Sequence, residues 1–509
     1  MVAKRRILDA DDADIMHTIF VKRGVRTVVI PLQDSEAIVG RKNTEYCGIV
    51  GFKSYSNVAP LLYFGLRSLQ HRGQESAGVS IYSDNKISTY KGMGLVHEVF
   101  TQNLLDSLSG NSGIGHVRYS TAGSSVISNA QPILIHTSAG DMAIAHNGEI
   151  SNADELKERL EKAGSSFFTE SDTELILKLI ALETSKHDNL VEGIKRTMRY
   201  LKGSYSLTFQ LNDRVFAIRD PLGIRPLVLG KFEGGYGIAS ESVVFDALGG
   251  ETIRDVYPGE ILEIDKNTVI SHYKVDNEQT AFCMFEYVYF ARADSTMNKK
   301  NVYSVRKNLG RILAREHPAP ADIVVPVPDS GRTHALGYAE ESKIPFAEGL
   351  MKNRYIERTF IMPAQKERVL EIQLKLNPIK EVVRNKKIVL IDDSIVRGNT
   401  TQKIVKLLKN AGAKEVHVRI ASPPIIAPCY LGIDMKTRSQ FIAAEKTVEE
   451  IREKIEADSL AYLSIPGLVK AIGTNKNKLC LGCLTGTYPV PIKGEKYREQ
   501  SNLSNFYMI

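Results

Sequence analysis

Cysteine is scarce in this chain: five residues among 509, an odd number at scattered positions. That argues against a secreted disulfide framework, which needs paired thiols at high density. No run of 18 apolar residues occurs, and a membrane-spanning helix needs about that length, so none is expected. Internal repeats and low-complexity tracts are also missing, which removes solenoids and arrays. A net charge of +7 arises from 66 basic and 59 acidic residues without any dense basic tract. So small an excess suits anionic small molecules and gives nucleic-acid binding little support.

What remains is ordinary globular usage, 43% apolar and 25% charged, unlike a disordered or collagen-like chain. At roughly 150 residues per domain, two to four domains are expected. Residues 1–46 do not read as a folded domain. They run from Lys4-Arg5-Arg6 through the acidic patch Asp9–Asp14 to a short apolar stretch around Val28–Leu32. A secretory signal needs an uninterrupted apolar core and a small-residue cleavage site, and neither is present. A transit peptide is poor in acids, and this segment is not. The leader reads as a removable pro-segment, an interaction tail or an upstream start, with Met16 as the alternative initiator.

From Cys47 the pattern changes. Cys47–Phe52 reads as a buried strand, and short alternating runs follow at Ala77–Tyr82, Gly113–Tyr119, Met142–Ala145, Ser206–Leu211, Val215–Arg219 and Gly237–Ser240. Helical patterns lie at Leu61–Leu69, Asn152–Lys162, Thr173–Glu183 and Val191–Leu201. Clustered strands with paired helices predict an α+β sandwich, helices on antiparallel sheets, over residues 47–280. After Ala281, strand and helix alternate: Ile323–Pro328, Lys387–Asp392, Thr400–Ala411 and Val416–Ala421. This predicts an α/β doubly wound parallel sheet over 281–475, followed by a tail at 476–509.

Four polar clusters punctuate the first domain: His71–Ser76, Gly115–Thr121, Ala145–Glu149 and Glu170–Glu174. Singly each has a bland reading, since Asn-Gly is a common hairpin turn and Ser-Asp-Thr-Glu a good helix cap. Together with Cys47-Gly48 they resemble the glutaminase domain of class II glutamine amidotransferases, the amino-terminal-nucleophile hydrolases. The resemblance implies that cutting the Tyr46–Cys47 bond makes Cys47 the first residue. A free α-amine titrates near 7.7–8.0, so one residue would then supply both thiol and base. It further implies that Arg118 pairs with the α-carboxylate of glutamine and Asp172 with its α-ammonium. Asn147 and the Gly148 N–H would form the oxyanion hole. Arg72 and Gln74 would belong to a glutamine-covering loop in which Gly73 supplies flexibility. A 46-residue leader is long for this family.

The strongest signal of the second half is Lys387–Thr401. A buried strand delivers Asp392 and Asp393 at its carboxyl end, and a Gly-polar loop opens a helix whose N–H groups attract phosphate. The run resembles the substrate loop of type I phosphoribosyltransferases. There the acid pair holds ribose hydroxyls and supports Mg2+, while Arg397, Gly398, Asn399, Thr400 and Thr401 would wrap the 5′-phosphate of phosphoribosyl pyrophosphate. Val325–Arg332 matches the pyrophosphate loop, which would bring Ser330 to the metal with Asp392 and Asp393, and Arg332 to the substrate. Lys352–Lys375, with Arg354, Arg358, Thr359, Phe360, Pro363, Gln365, Arg368 and Lys375, resembles a mobile loop that closes over substrate.

If Cys47 is the nucleophile, Cys283, Cys429, Cys480 and Cys483 remain. Four cysteines suit an iron–sulfur cluster, zinc or plain buried thiols, and spacing alone leaves these open. A glutaminase followed by this transferase resembles the amidophosphoribosyltransferase family. One branch of it carries a structural [4Fe–4S] cluster on cysteines matching these four. The resemblance implies a cytoplasmic enzyme making 5-phosphoribosylamine, glutamate and pyrophosphate, the first committed step of purine synthesis. Mg2+ and one cluster per subunit, purine nucleotide inhibitors and a homotetramer come with it, without nucleic acid or membrane. The acid pair argues against amidotransferases of the glucosamine-phosphate or asparagine synthetase type. An intact glutamine pocket argues against a DNA-binding regulator on a transferase fold.

Overall fold

Inner strands of the first half, Gly48–Ser54 and Gly203–Leu211 among them, are buried along their whole length, while edge strands such as Val269–Tyr273 stay largely exposed. In a computed structural model, residues 47–119, 125–276, 279–353, 376–435 and 438–492 are described, with the backbone of 18–22 and 25–30. In chain order the strands are β1 (Thr18–Lys22), β2 (Val25–Ile30), β3 (Gly48–Ser54), β4 (Ser76–Ser83), β5 (Lys86–Met93), β6 (Ser112–Arg118), β7 (Ile133–Thr137) and β8 (Gly140–Ile150). There follow β9 (Gly203–Leu211), β10 (Arg214–Arg219), β11 (Val228–Phe232), β12 (Gly235–Ala239), β13 (Glu251–Asp255), β14 (Ile261–Ile264) and β15 (Val269–Tyr273).

They make a nine-stranded sheet, β1-β2-β5-β4-β6-β3-β12-β11-β13, and a six-stranded one, β15-β14-β10-β9-β8-β7. Alternation along β3 shows the layering. Ile49 enters the core between the sheets with Ile114, Ala145 and Val215. Val50 and Phe52 enter the core under the helix Ala59–Ser68 with Leu62, Leu66 and Phe245. On the far side, Leu156, Ile176 and Ile194 from three helices (Ala153–Lys162, Asp172–His187, Leu190–Tyr200) pack with Phe209 of β9. The expected helix-on-antiparallel-sheet sandwich is what the chain forms.

Part of the leader departs from expectation. β1 and β2 form a hairpin, and β2 adds in parallel to the edge strand β5. Val25–Ile30 is rich in β-branched residues, which favour a pleated strand once an edge is available. A single row crosses the sheet through Ile30, Gly92, Ala77, Val117 and Gly48. β2 therefore leaves the sheet at the end where Cys47 enters it.

The second half contains a four-stranded sheet, Ile323–Pro326, Lys387–Asp392, Glu415–Ile420 and Ser459–Tyr462 in spatial order. All its pairings are parallel, and Ile391 faces Pro326 while Asp392 faces Ile420. Ile388 and Leu390 point into one apolar core, Val389 and Ile391 into the other. Both faces are covered, as a parallel sheet requires. Near the tail, Phe282–Cys283 pairs in parallel with Leu479–Cys480. Among the described residues no helix is long and apolar enough to cross a membrane.

Candidate active sites

Cys47 stands just before β3, 8% exposed, with its Sγ 3.6 Å from the Tyr119 carbonyl oxygen. Burial pushes its thiol up, while the Tyr119 contact and the Arg118 and Arg225 guanidinium groups pull it down. Arg118, at the end of β6, is buried and its Nη1 lies 2.5 Å from Glu75 Oε1.

Asn147-Gly148 is not a turn. Both residues lie inside β8, opposite Ser206 and Tyr205 of β9. The Asn147 Oδ1 accepts a hydrogen bond from Arg225 Nε at 3.4 Å. Its buried Nδ2 has no hydrogen-bond partner among the described residues. Gly148 has φ +154, and a Cβ there would collide with the Ser204 carbonyl oxygen, so only glycine fits. Gly73, expected to lend flexibility, is instead a close-approach position: a Cβ would fall 2.5 Å from the Val117 carbonyl carbon.

Asp172 opens the helix over the six-stranded sheet. Its Oδ2 accepts the Ile150 N–H at 3.0 Å, and its Oδ1 lies 3.4 Å from His146 Nδ1. It borders a cavity of about 310 Å³ lined also by Glu149, Ile150, Thr169, Tyr430 and Ile492. Two of those residues come from the second half of the chain.

Arg72 does not present its guanidinium to open space. It is fully buried and paired with Glu241 through Nε and with Glu286 through Nη2 at 2.6 Å. Glu286 also meets Arg225 Nη2 at 3.1 Å. Glu241 in turn accepts from the Arg292 N–H and the Ser295 hydroxyl of the second half. Burial pushes the Glu241 carboxyl up, but Arg72, His71 and the Ser295 hydroxyl hold it well below its usual range. Sequence reasoning missed Glu75, Arg225, Glu241 and Glu286. The available signal was a lone charge inside an apolar run, as in Phe285-Glu286-Tyr287, since buried charges need partners.

In the second half, Asp392 and Asp393 end the strand Lys387–Asp392 as expected. Ser330 Oγ donates to Asp392 Oδ1 at 3.3 Å, and Ser394 Oγ to Asp393 Oδ2 at 2.6 Å. Burial first, then the neighbouring Asp393, pushes the Asp392 carboxyl well above its usual range. The helix Asn399–Asn410 starts at Gly398, which has φ +78, and no side chain caps it. Arg397, Asn399 and Thr400 are exposed there and Thr401 is buried. Arg332 pairs with Glu348 at 3.2 Å and Asp329 with Lys352 at 3.1 Å. Lys375 and residues 354–374 of the expected mobile loop lie outside the described residues.

Cys283, Cys429, Cys480 and Cys483 gather in one place, with Cys283 directly opposite Cys480. None is in a disulfide. Burial pushes all four thiols up, Cys480 to about 12, and neighbouring cysteines push Cys429, Cys480 and Cys483 further. Among the described residues no three His, Cys, Asp or Glu side chains are set to hold a single metal ion.

Residues 116–247 match the family model of the glutamine amidotransferase domain, and residues 298–421 that of the phosphoribosyl transferase domain. The fold and sites therefore define a glutamine amidotransferase joined to a phosphoribosyltransferase. The amidophosphoribosyltransferase of Methanocaldococcus jannaschii is 50% identical over 467 residues, covering 88% of this chain and 99% of the relative. That of Bacillus subtilis is 44% identical, covering 88% of this chain and 95% of the relative. A solved B. subtilis glutamine phosphoribosylpyrophosphate amidotransferase, complexed with ADP and GMP, superposes with a TM-score of 0.84 at 44% identity. It covers 88% of this chain and 99% of its own. The chain belongs to the amidophosphoribosyltransferase family.

Proposed function

We propose that this chain converts phosphoribosyl pyrophosphate, glutamine and water into 5-phosphoribosylamine, glutamate and pyrophosphate. The observation that carries the glutaminase half is Arg225, whose charge reaches Cys47 while its Nε holds the Asn147 carbonyl oxygen. The Asn147 amide is thereby turned so that its Nδ2 is left to donate elsewhere. Cys47, freed at its α-amine by cleavage after Tyr46, attacks the glutamine side-chain carbonyl and passes its thiol proton to that amine. Asn147 Nδ2 and the Gly148 N–H receive the oxyanion of the tetrahedral intermediate. Collapse releases ammonia and leaves a thioester, which water hydrolyses to glutamate. Arg118 and Asp172 recognise the two charges of the glutamine backbone, and Arg72 supports the site through Glu241 and Glu286.

Ammonia crosses an enclosed path to the second site and displaces pyrophosphate from the ribose C1. Asp392 and Asp393 bind the ribose hydroxyls. Arg397–Thr401 holds the 5′-phosphate against an uncapped helix start. Arg332 meets the pyrophosphate, and Lys375 belongs to the substrate-covering loop that binds phosphoribosyl pyrophosphate. Two buried carboxylates and the Ser330 hydroxyl fit Mg2+, which takes one or two carboxylates and completes its shell with substrate phosphates and water. When bound, such a metal neutralises charge developing on the leaving pyrophosphate.

Cys283, Cys429, Cys480 and Cys483 would hold a [4Fe–4S] cluster. Their mutual proximity and lack of disulfides support it, and its role there is structural. A 44% identical neighbour described as the allosteric regulatory enzyme of purine biosynthesis, and another complexed with ADP and GMP, support inhibition by purine nucleotides. The test is affinity labelling with a chloroketone analogue of glutamine. The label should map to Cys47, blocking turnover with glutamine but not with ammonium. Labelling elsewhere would refute the assignment.

A further inference from the structure

The oxyanion strand is propped from the other half of the chain. The segment Cys429–Met435 folds on itself, with the Cys429 N–H donating to the Met435 carbonyl at 2.9 Å and the Leu431 N–H to Cys429 Sγ at 3.4 Å. The Leu431 carbonyl then accepts the Ser204 hydroxyl at 2.9 Å. Ser204 pairs with Glu149 in the ladder between β8 and β9, and its Oγ accepts the Glu149 N–H at 3.3 Å. Next along this segment, Gly432 lies flat against Gly148. A Cβ on Gly432 would stand 2.9 Å from both the Cα and the carbonyl carbon of Gly148, and its φ of +92 disfavours any side chain.

We infer that Gly432 and the Leu431 carbonyl position the Gly148 peptide, so that the cysteine-bearing segment sets the alignment of the glutaminase oxyanion hole. β8 at Gly148 is clamped from two sides. The Ser204 carbonyl closes one, where a Cβ on Gly148 would collide, and Gly432 closes the other. A peptide held this way keeps its N–H aimed without reorganising during reaction, which is what oxyanion stabilisation needs. The segment that does the holding is shaped around Cys429 Sγ, so the state of that sulfur reaches the glutaminase site through two residues. Gly432 is a positioning residue and touches no substrate.

The inference rests on reading Gly148 as an oxyanion donor, and the test separates the two. Gly432→Ala pushes on Gly148 while leaving every charged glutamine contact intact. It should lower kcat with glutamine by roughly 10- to 100-fold, the scale of a misplaced group and less than the roughly 100- to 1,000-fold of a donor lost outright. KM for glutamine, inhibition by glutamate, turnover with ammonium, and iron and sulfide per chain should stay within about twofold of the parent. Ser204→Ala removes the Leu431 bond without adding volume and should lower kcat severalfold with KM unchanged. It also serves if Gly432→Ala does not fold. Unchanged kcat with glutamine, or an equal fall with glutamine and ammonium, would overturn the inference. Loss of iron in step with activity would overturn it as well. Asn147→Ala is the control: if it keeps full glutamine turnover, the oxyanion reading itself fails.

Discussion

Arg72 and Glu286 meet at 2.6 Å across 214 residues of sequence, both almost wholly buried. One precedes β4 in the glutaminase half, and the other opens the short helical turn Glu286–Phe290 that begins the transferase half. Glu241 and Arg225 complete the cluster, so two cations and two carboxylates neutralise each other where the halves join. Removing one member strands a charge in a medium where it cannot be solvated. Glu286→Gln should therefore lower stability by about 3–5 kcal/mol, the usual cost of breaking a buried pair. Thermal unfolding checks this, and a melting temperature equal to the parent's would contradict it.

Asp392→Asn with Asp393→Asn should abolish use of phosphoribosyl pyrophosphate with either nitrogen source, because the lesion lies downstream of ammonia release. Basal hydrolysis of glutamine should persist. Pyrophosphate release with ammonium distinguishes the outcomes, and unchanged release would refute the ribose assignment.

Cys480→Ser should give poorly folded protein without iron. Air exposure of the parent should bleach its colour, with both activities lost as the fold opens. The four cysteines tie residue 283 to residues 429, 480 and 483, and closing such long loops through one centre removes much unfolded-state entropy. Colourless, stable and fully active protein would overturn the cluster.

His116 gives a pH dependence. Burial, with help from Arg118, pushes its imidazole down to about 3. In the unfolded chain the group titrates near about 6.5. Below that value the unfolded chain takes up a proton that the folded one refuses, so stability declines as pH falls from about 6.5 toward 3. His116→Gln should flatten this acid limb even though it lowers stability at neutral pH. Melting temperatures between pH 7 and 4 decide it, and an acid limb as steep as the parent's would contradict the assignment.

Much of this arrangement could be read in advance where chemistry is local. Lys387–Asp392 is an apolar run closed by two acids, and it forms the strand with those bounds. Ser171 caps the helix that begins at Asp172, as its pattern promises, accepting the Thr173 N–H at 3.2 Å. Asn147-Gly148 misleads in isolation, because the dipeptide favours a turn while its neighbours supply an uninterrupted ladder to β9. A lone charge such as Glu286 hinted at a buried partner, but the pairing of Arg72, Arg225, Glu241 and Glu286 was not legible, since partners up to 214 residues apart leave no spacing to detect. The β2–β5 pairing escaped for a related reason. Val25–Ile30 is too short to declare itself a strand without the edge that receives it. Tyr430 and Ile492 reach the cavity beside Asp172 only through the packing of one half on the other.

The most direct test of a coupled glutaminase and transferase is to follow the nitrogen. With glutamine labelled by 15N at its side-chain amide and phosphoribosyl pyrophosphate, the trapped phosphoribosylamine should carry the label one-for-one with pyrophosphate released. Cys47→Ala should transfer none from glutamine while still incorporating labelled ammonium. Glutamine hydrolysed without label reaching the ribose, or pyrophosphate released without nitrogen transfer, would contradict the account.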